Sequence, residues 1–139
     1  MFPHHLVVID GSEFLFRAYY AFPPLLRSDG APIGAVYGFT TILSRLLATI
    51  RTDHVAIAFD APGPSFRHLL YRGYKAQRPT APPDLIAQFV LVRRATMAFS
   101  LHPMELAGFE ADDLIATYSR HAVEEGAEVT IVSSDKDLM

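Results

Sequence analysis

The chain has 139 residues, half of them apolar, with 12 Lys and Arg, 15 Asp and Glu, 6 His and no Cys. That is one ordinary domain's worth of chain, with enough apolar surface for a sizeable core. Disulfides and thiolate metal sites are excluded, the histidines lack zinc-ligand spacing, and no run reads as a membrane span or an export signal.

The chain alternates strand and helix. Residues 6–9 form a short β-branched run ended by Asp10-Gly11, as expected of a buried parallel strand. Ser12 is placed to cap a helix reaching Tyr20. Pro23, Pro24, Gly30 and Pro32 mark a loop. Val36, Phe39, Leu43, Leu46, Leu47 and Ile50 recur at helical spacing, so this helix should lay an apolar face on the sheet. Residues 55–59 predict a second strand, 85–99 a helix after Pro82-Pro83, and 101–106 a weak strand interrupted by Pro103. Residues 112–125 predict a helix stopped by Gly126, and 129–132 a last strand. This order argues an α/β fold with a mostly parallel sheet flanked by helices.

One compositional break interrupts the pattern. From Ala61 to Pro83, prolines and glycines interleave with Arg67, Tyr71, Arg72, Tyr74, Lys75 and Arg78. The stretch is too long for an ordinary strand–helix connection. Between Ser65 and Arg94 the charge balance is +5, against −8 for the rest of the chain. Cations interleaved with aromatics can hold phosphates and stack bases together; the plainer account is a solvated surface excursion.

The acids carry the chemistry. Asp10 and Asp60 follow two predicted strands, Asp135 and Asp137 follow the last, and Glu110, Asp112 and Asp113 open a helix. Carboxyl ends of parallel strands line one crevice in an open α/β sheet. Seven acids converging there would repel one another unless cations neutralised them. Hard oxygen donors in that number predict Mg²⁺ or Mn²⁺, and paired ions of this kind cleave phosphodiesters. Each acid also has an ordinary structural account. Asp10 could close a strand in a turn, Asp112 and Asp113 could answer a helix dipole, and Asp135 and Asp137 could cap a helix. Because all four groups fall at one sheet edge, the residues favour a metal-dependent nuclease.

Several stretches carry a family resemblance: Val8-Ile9-Asp10-Gly11-Ser12 with Arg17-Ala18-Tyr19-Tyr20, Gly34-Ala35-Val36-Tyr37-Gly38-Phe39, and Phe59-Asp60-Ala61. Phe66-Arg67, Tyr74-Lys75-Ala76-Gln77-Arg78-Pro79, Glu110-Ala111-Asp112-Asp113 and Ser134-Asp135-Lys136-Asp137 continue it in the same order. Together they resemble the 5′-nuclease domain of bacterial DNA polymerase I, within the flap-endonuclease, PIN-like superfamily. The resemblance implies a PIN-like (Rossmann-like) sheet over residues 1–139, with residues 61–83 as a basic arch inserted in it. It also implies a 5′→3′ exonuclease and flap endonuclease of replication and repair. Asp10, Asp60, Glu110, Asp112, Asp113, Asp135 and Asp137 would be its metal carboxylates, serving two Mg²⁺ or Mn²⁺ ions. Lys75 and Arg78 would act at the scissile phosphate, and Arg67 and Tyr74 would join them in holding DNA. The expected partners are DNA with a 5′ flap or 5′ end and RNA–DNA hybrid primers, with no membrane and no small-molecule cofactor. The expected location is the bacterial cytoplasm, at the nucleoid. The family pattern continues past Met139 through two more aspartates and a helix–three-turn–helix element, so the resemblance implies the N-terminal part of the domain. Three readings follow: the nuclease, a DNA- and metal-binding fragment without catalysis, and a phosphoaspartate receiver or small-molecule phosphatase. The third lacks an Asp-x-Asp pattern at Asp10 and gives a basic arch no task.

Overall fold

The computed structural model describes residues 5–51, 54–61, 70 and 81–133. Four strands form one parallel sheet: β1 (His5–Asp10), β2 (Val55–Ala58), β3 (Pro103–Met104) and β4 (Glu128–Val132). Their spatial order is β3-β2-β1-β4. β1 pairs with β2 from Val7↔Val55 to Asp10↔Ala58 and with β4 from His5↔Glu128 to Ile9↔Val132. The helices are α1 (Gly11–Ala21), α2 (Gly34–Thr49), a single turn α3 (Pro83–Ile86), α4 (Phe89–Ala98) and α5 (Ala111–Glu124).

The side-chain alternation of the two central strands sorts the core into layers. Val7, Ile9, Ile57 and Phe59 point to one face and pack with Leu15, Phe39, Leu43, Leu85 and Val92 from α1 to α4. Leu6, Val8, Ala56 and Ala58 point to the other and meet Ala111, Ile115 and Ala122 of α5. Burial on both faces explains why β1 reads as a continuous apolar run rather than as an alternating one. The small side chains of Ala56 and Ala58 suit the second face, where one helix covers the strands.

Strand order fixes where a site can form. The chain steps outward from β1 to β2 to β3 and then returns to the far side of β1, so the direction of winding reverses between β1 and β4. In open parallel sheets the crevice for ligands opens at such a reversal, beyond the carboxyl ends of the strands. Asp10 is the last residue of β1, at that point.

Four expectations need correction. Asp10, not Ser12, caps α1: its Oδ1 accepts the Glu13 N–H at 3.0 Å, while Ser12 lies inside the helix. The helix expected over 85–99 is broken between Ile86 and Phe89. There the buried Gln88 accepts the Val36 N–H through Oε1 at 3.0 Å and donates through Nε2 to the Asp84 carbonyl at 2.9 Å. The Ile33 side chain offers α2 no cap, so Gln88 supplies one from another element. The strand expected over 101–106 shrinks to Pro103–Met104 on the sheet edge, where proline's missing N–H is tolerated. Arg93, counted with the basic segment, is instead paired with Glu105 at 3.0 Å. Most of the stretch expected as an arch, residues 62–69 and 71–80, lies outside the described residues.

Candidate metal centre at the carboxyl edge of the sheet

Asp10 is the most constrained acid of the set. It is only 4% exposed, although it carries a charge in its ordinary ionised form. Burial, opposed by the bond from the Glu13 N–H and reinforced by the negative charges of Asp112, Asp60 and Glu13, pushes its pKa from 3.8 to about 7. Asp112, at the start of α5, and Asp60, just past β2, thus lie close enough to oppose ionisation of Asp10.

Asp60 is held from three sides. Its N–H donates to the Ser12 Oγ at 2.8 Å, its Oδ1 accepts the Ala111 N–H at 2.7 Å, and its carbonyl accepts an N–H of Arg93 at 3.2 Å. The first contact ties the β2 exit to α1, and the second ties it to the first residue of α5. Asp60 therefore answers one of the unpaired N–H groups at the start of α5, much as Asp10 does for α1. At the same helix start, Asp113 Oδ2 accepts the N–H of Glu110 at 3.0 Å. Asp112 is exposed, and Glu110 and Asp113 are half-buried.

Asp113 does lie in the first turn of α5, as its ordinary structural account has it, whereas Asp10 caps α1 rather than closing a strand in a turn. Capping leaves the burial of Asp10 unexplained. Helix capping needs only an exposed oxygen, whereas this carboxyl is enclosed and faces other acids. Two helix N-termini, those of α1 and α5, direct their positive ends at the same crevice and partly offset that charge.

Among the described residues, no group of three or more His, Asp or Glu side chains forms a ready ion cage. Mg²⁺ does not need one, since it keeps several waters and binds through one or two carboxylates and substrate phosphates. The donors present are hard oxygens around a carboxyl that resists ionisation on its own, and they fit such an ion. Asp135 and Asp137, and likewise Arg67, Tyr74, Lys75 and Arg78, lie outside the described residues.

A cleft of about 650 Å³ opens elsewhere, lined by Tyr19, Tyr20, Leu26, Pro32, Asp84 and Gln88 among others. Its Asp84 accepts the Tyr19 hydroxyl at 2.7 Å, and the rest of the lining is mostly apolar. The acids that oppose one another are at the sheet edge and do not line this cleft. Three participants were missed from the sequence. Glu13 stands three residues after Asp10, a helix-start spacing that could have shown it. Ser12 was read as a cap. Arg93 sits one helical turn after Phe89, but the residues it reaches are far away in sequence.

The family described as 5′-3′ exonuclease, N-terminal resolvase-like domain, matches residues 5–139. A DNA polymerase I from Rhizobium leguminosarum is 55% identical over 143 residues, covering 97% of this chain and 14% of that protein. A 5′-3′ exonuclease from Aquifex aeolicus (strain VF5) is 39% identical over 134 residues, covering 96% of this chain and 46% of that protein. Among solved structures, the bacteriophage T5 5′-exonuclease with bound zinc ions gives a TM-score of 0.63 at 18% identity, over 96% of this chain and 50% of that one. A T5 flap endonuclease complex with DNA and metal ions gives 0.59 at 17% identity, over 95% and 49%. These structural likenesses show the expected fold, a parallel sheet flanked by helices that is shared with the T5 5′-exonuclease. The chain spans less than half the length of the two relatives named. Among the described residues, no helix is long and apolar enough to cross a membrane.

Proposed function

The chain belongs to the 5′-3′ exonuclease N-terminal resolvase-like family, and from that premise we propose that it forms the acidic sheet edge of a divalent-metal-dependent 5′→3′ exonuclease and flap endonuclease. The observation that carries this reading is the enclosed Asp10 at the winding reversal, opposed by Asp60 and Asp112. A carboxyl so placed is a liability unless a cation compensates it.

In this reading Asp10, Asp60, Glu110, Asp112, Asp113, Asp135 and Asp137 are the carboxylates that hold Mg²⁺ or Mn²⁺, two ions in the complete domain. The chemistry such ions supply when bound is activation of a water and neutralisation of charge on phosphate oxygens. The chain's own part is to keep the carboxylates fixed. The Glu13 N–H holds Asp10, the Ala111 N–H holds Asp60, and the Glu110 N–H holds Asp113. Residues 61–83 form the basic arch, where Lys75 and Arg78 place positive charge at the scissile phosphate and Arg67 and Tyr74 help hold the strand. The substrates are DNA with a 5′ flap or free 5′ end and RNA–DNA hybrid primers, met in the bacterial cytoplasm at the nucleoid.

A second reading is favoured by one observation, the lack of a ready ion cage among the described residues. It is a DNA- and metal-binding unit that does not cleave by itself. The deciding experiment incubates the chain with a 5′-labelled flap duplex and Mg²⁺ or Mn²⁺, beside Asp113→Ala. Release of the flap by the parent and not by the variant supports the nuclease. Folded parent that binds the duplex in a salt-dependent way without releasing the flap supports the second reading. Folded parent that does neither overturns both.

A further inference from the structure

Arg93 is the one cation among the described residues shown joining three separate elements beside the acidic edge. Its Nε donates to Glu105 Oε1 at 3.0 Å, in the segment after β3. A second guanidinium N–H donates to the Asp60 carbonyl at 3.2 Å, just past β2. The guanidinium carbon lies 4.4 Å from the centroid of the Phe59 ring and 5.7 Å from that of Phe89. Its side chain is 16% exposed. Resting on the proposed role of Asp60 as a metal ligand, we propose that Arg93 is a positioning residue that sets the direction of the Asp60 carboxylate.

The geometry around Asp60 supports this assignment. A side chain's aim depends on its backbone, and the Asp60 backbone is held at both ends. Ser12 Oγ holds the N–H before the Cα, and Arg93 holds the carbonyl after it. The neighbouring Ala61 N–H reaches the Phe109 carbonyl only at 3.5 Å, so Arg93 provides the shorter restraint on that peptide unit. With both peptide units fixed, the bond from Ala111 N–H to Oδ1 leaves the other carboxylate oxygen in a set direction.

The choice of arginine follows from its shape. A planar fork can stack on Phe59 and still donate two bonds in different directions, which a single ammonium cannot do. A bare positive charge here would oppose an incoming divalent ion. Glu105 neutralises it, so the pair orients Asp60 without repelling the cation. Residues that orient metal ligands without touching the metal commonly change affinity by roughly 10- to 100-fold when removed.

The test is Mn²⁺ binding followed by electron paramagnetic resonance, with melting in EDTA, for the parent chain, Arg93→Met, Arg93→Lys, Asp60→Asn and the Arg93→Met/Asp60→Asn double variant. We expect Arg93→Met to weaken Mn²⁺ about tenfold and Arg93→Lys to recover part of that loss. The double variant should be little weaker than Asp60→Asn alone, because both changes act through one carboxylate. Mn²⁺ affinity of Arg93→Met within about twofold of the parent, or full additivity with Asp60→Asn, would overturn the inference even if the melting temperature fell. Should Arg93→Met not fold, Glu105→Gln decides, with weaker Mn²⁺ binding expected and unchanged binding refuting. If the parent does not bind Mn²⁺ saturably, or Asp60→Asn binds as tightly as the parent, the proposed metal site itself fails, and this inference with it.

Discussion

Asp10→Asn isolates the electrostatic cost of the candidate site. Asparagine keeps an Oδ1 that can accept the Glu13 N–H, so the cap of α1 survives while the charge is removed. The folded chain holds the Asp10 proton up to about pH 7, whereas an unperturbed carboxyl releases it near 3.8. Across that window the unfolded state binds fewer protons than the folded one, so stability falls as pH rises. The contribution is fully present below the unfolded pKa and is lost as pH climbs through about 7. At about 1.4 kcal/mol per pH unit the loss totals about 4 kcal/mol, a large part of a typical domain's stability. Relative to the parent, Asp10→Asn should therefore gain about 2.5 kcal/mol between roughly pH 5 and pH 8. The variant removes the repulsion that Asp112 and Asp60 exert on the native carboxylate. Urea unfolding in EDTA at several pH values measures this gap. Adding Mg²⁺ should stabilise the parent and narrow the gap, since an ion that binds only the folded state adds to its stability. A gap that stays flat over this pH range would show that Asp10 ionises without penalty, and the case for an enclosed acidic site would fail.

Two other substitutions test how the scaffold holds that site. In Gly11→Ala the new Cβ would stand 2.7 Å from the Cε1 and Cζ atoms of Phe59 and 3.0 Å from the Ala58 carbonyl. Phe59 is fully buried under Arg93, so it cannot swing away, and the change should cost about 1–3 kcal/mol by thermal or urea unfolding. An unchanged midpoint would mean that Phe59 and the Ala58 carbonyl can move aside from α1. Gln88→Met keeps the volume but leaves the Val36 N–H without its partner. It should cost about 1–3 kcal/mol, and a loss under about 0.5 kcal/mol would show that water or another acceptor replaces the amide.

What the sequence made legible, and what it hid, divides along the range of the interactions. β1, α2 and α5 could be read directly because their signals are local: a β-branched run before Asp10, apolar residues at helical spacing, and Gly126 as a stop. The approach of Asp112 and Asp60 to Asp10 was legible for a topological reason. Strands in a parallel sheet point the same way, so residues following different strands share an edge without any contact being known. The means of holding those acids was not legible. Ser12 was misread because a serine just after Asp10-Gly11 satisfies the local capping rule, whereas its actual bond is to Asp60, 48 residues away. The break before α4 was missed because Gln88 looks like an ordinary helix former until its amide is seen capping α2, 52 positions earlier. Arg93 looked like one more cation in a basic stretch because Phe59, Asp60 and Glu105 are adjacent only in the folded chain. Side-chain identity can announce a metal ligand, but the residues that aim it are chosen by distance in space. For this chain the acids were metal-ligand candidates from the sequence, and the contacts that hold them became visible only after β1, β2 and α5 were brought together.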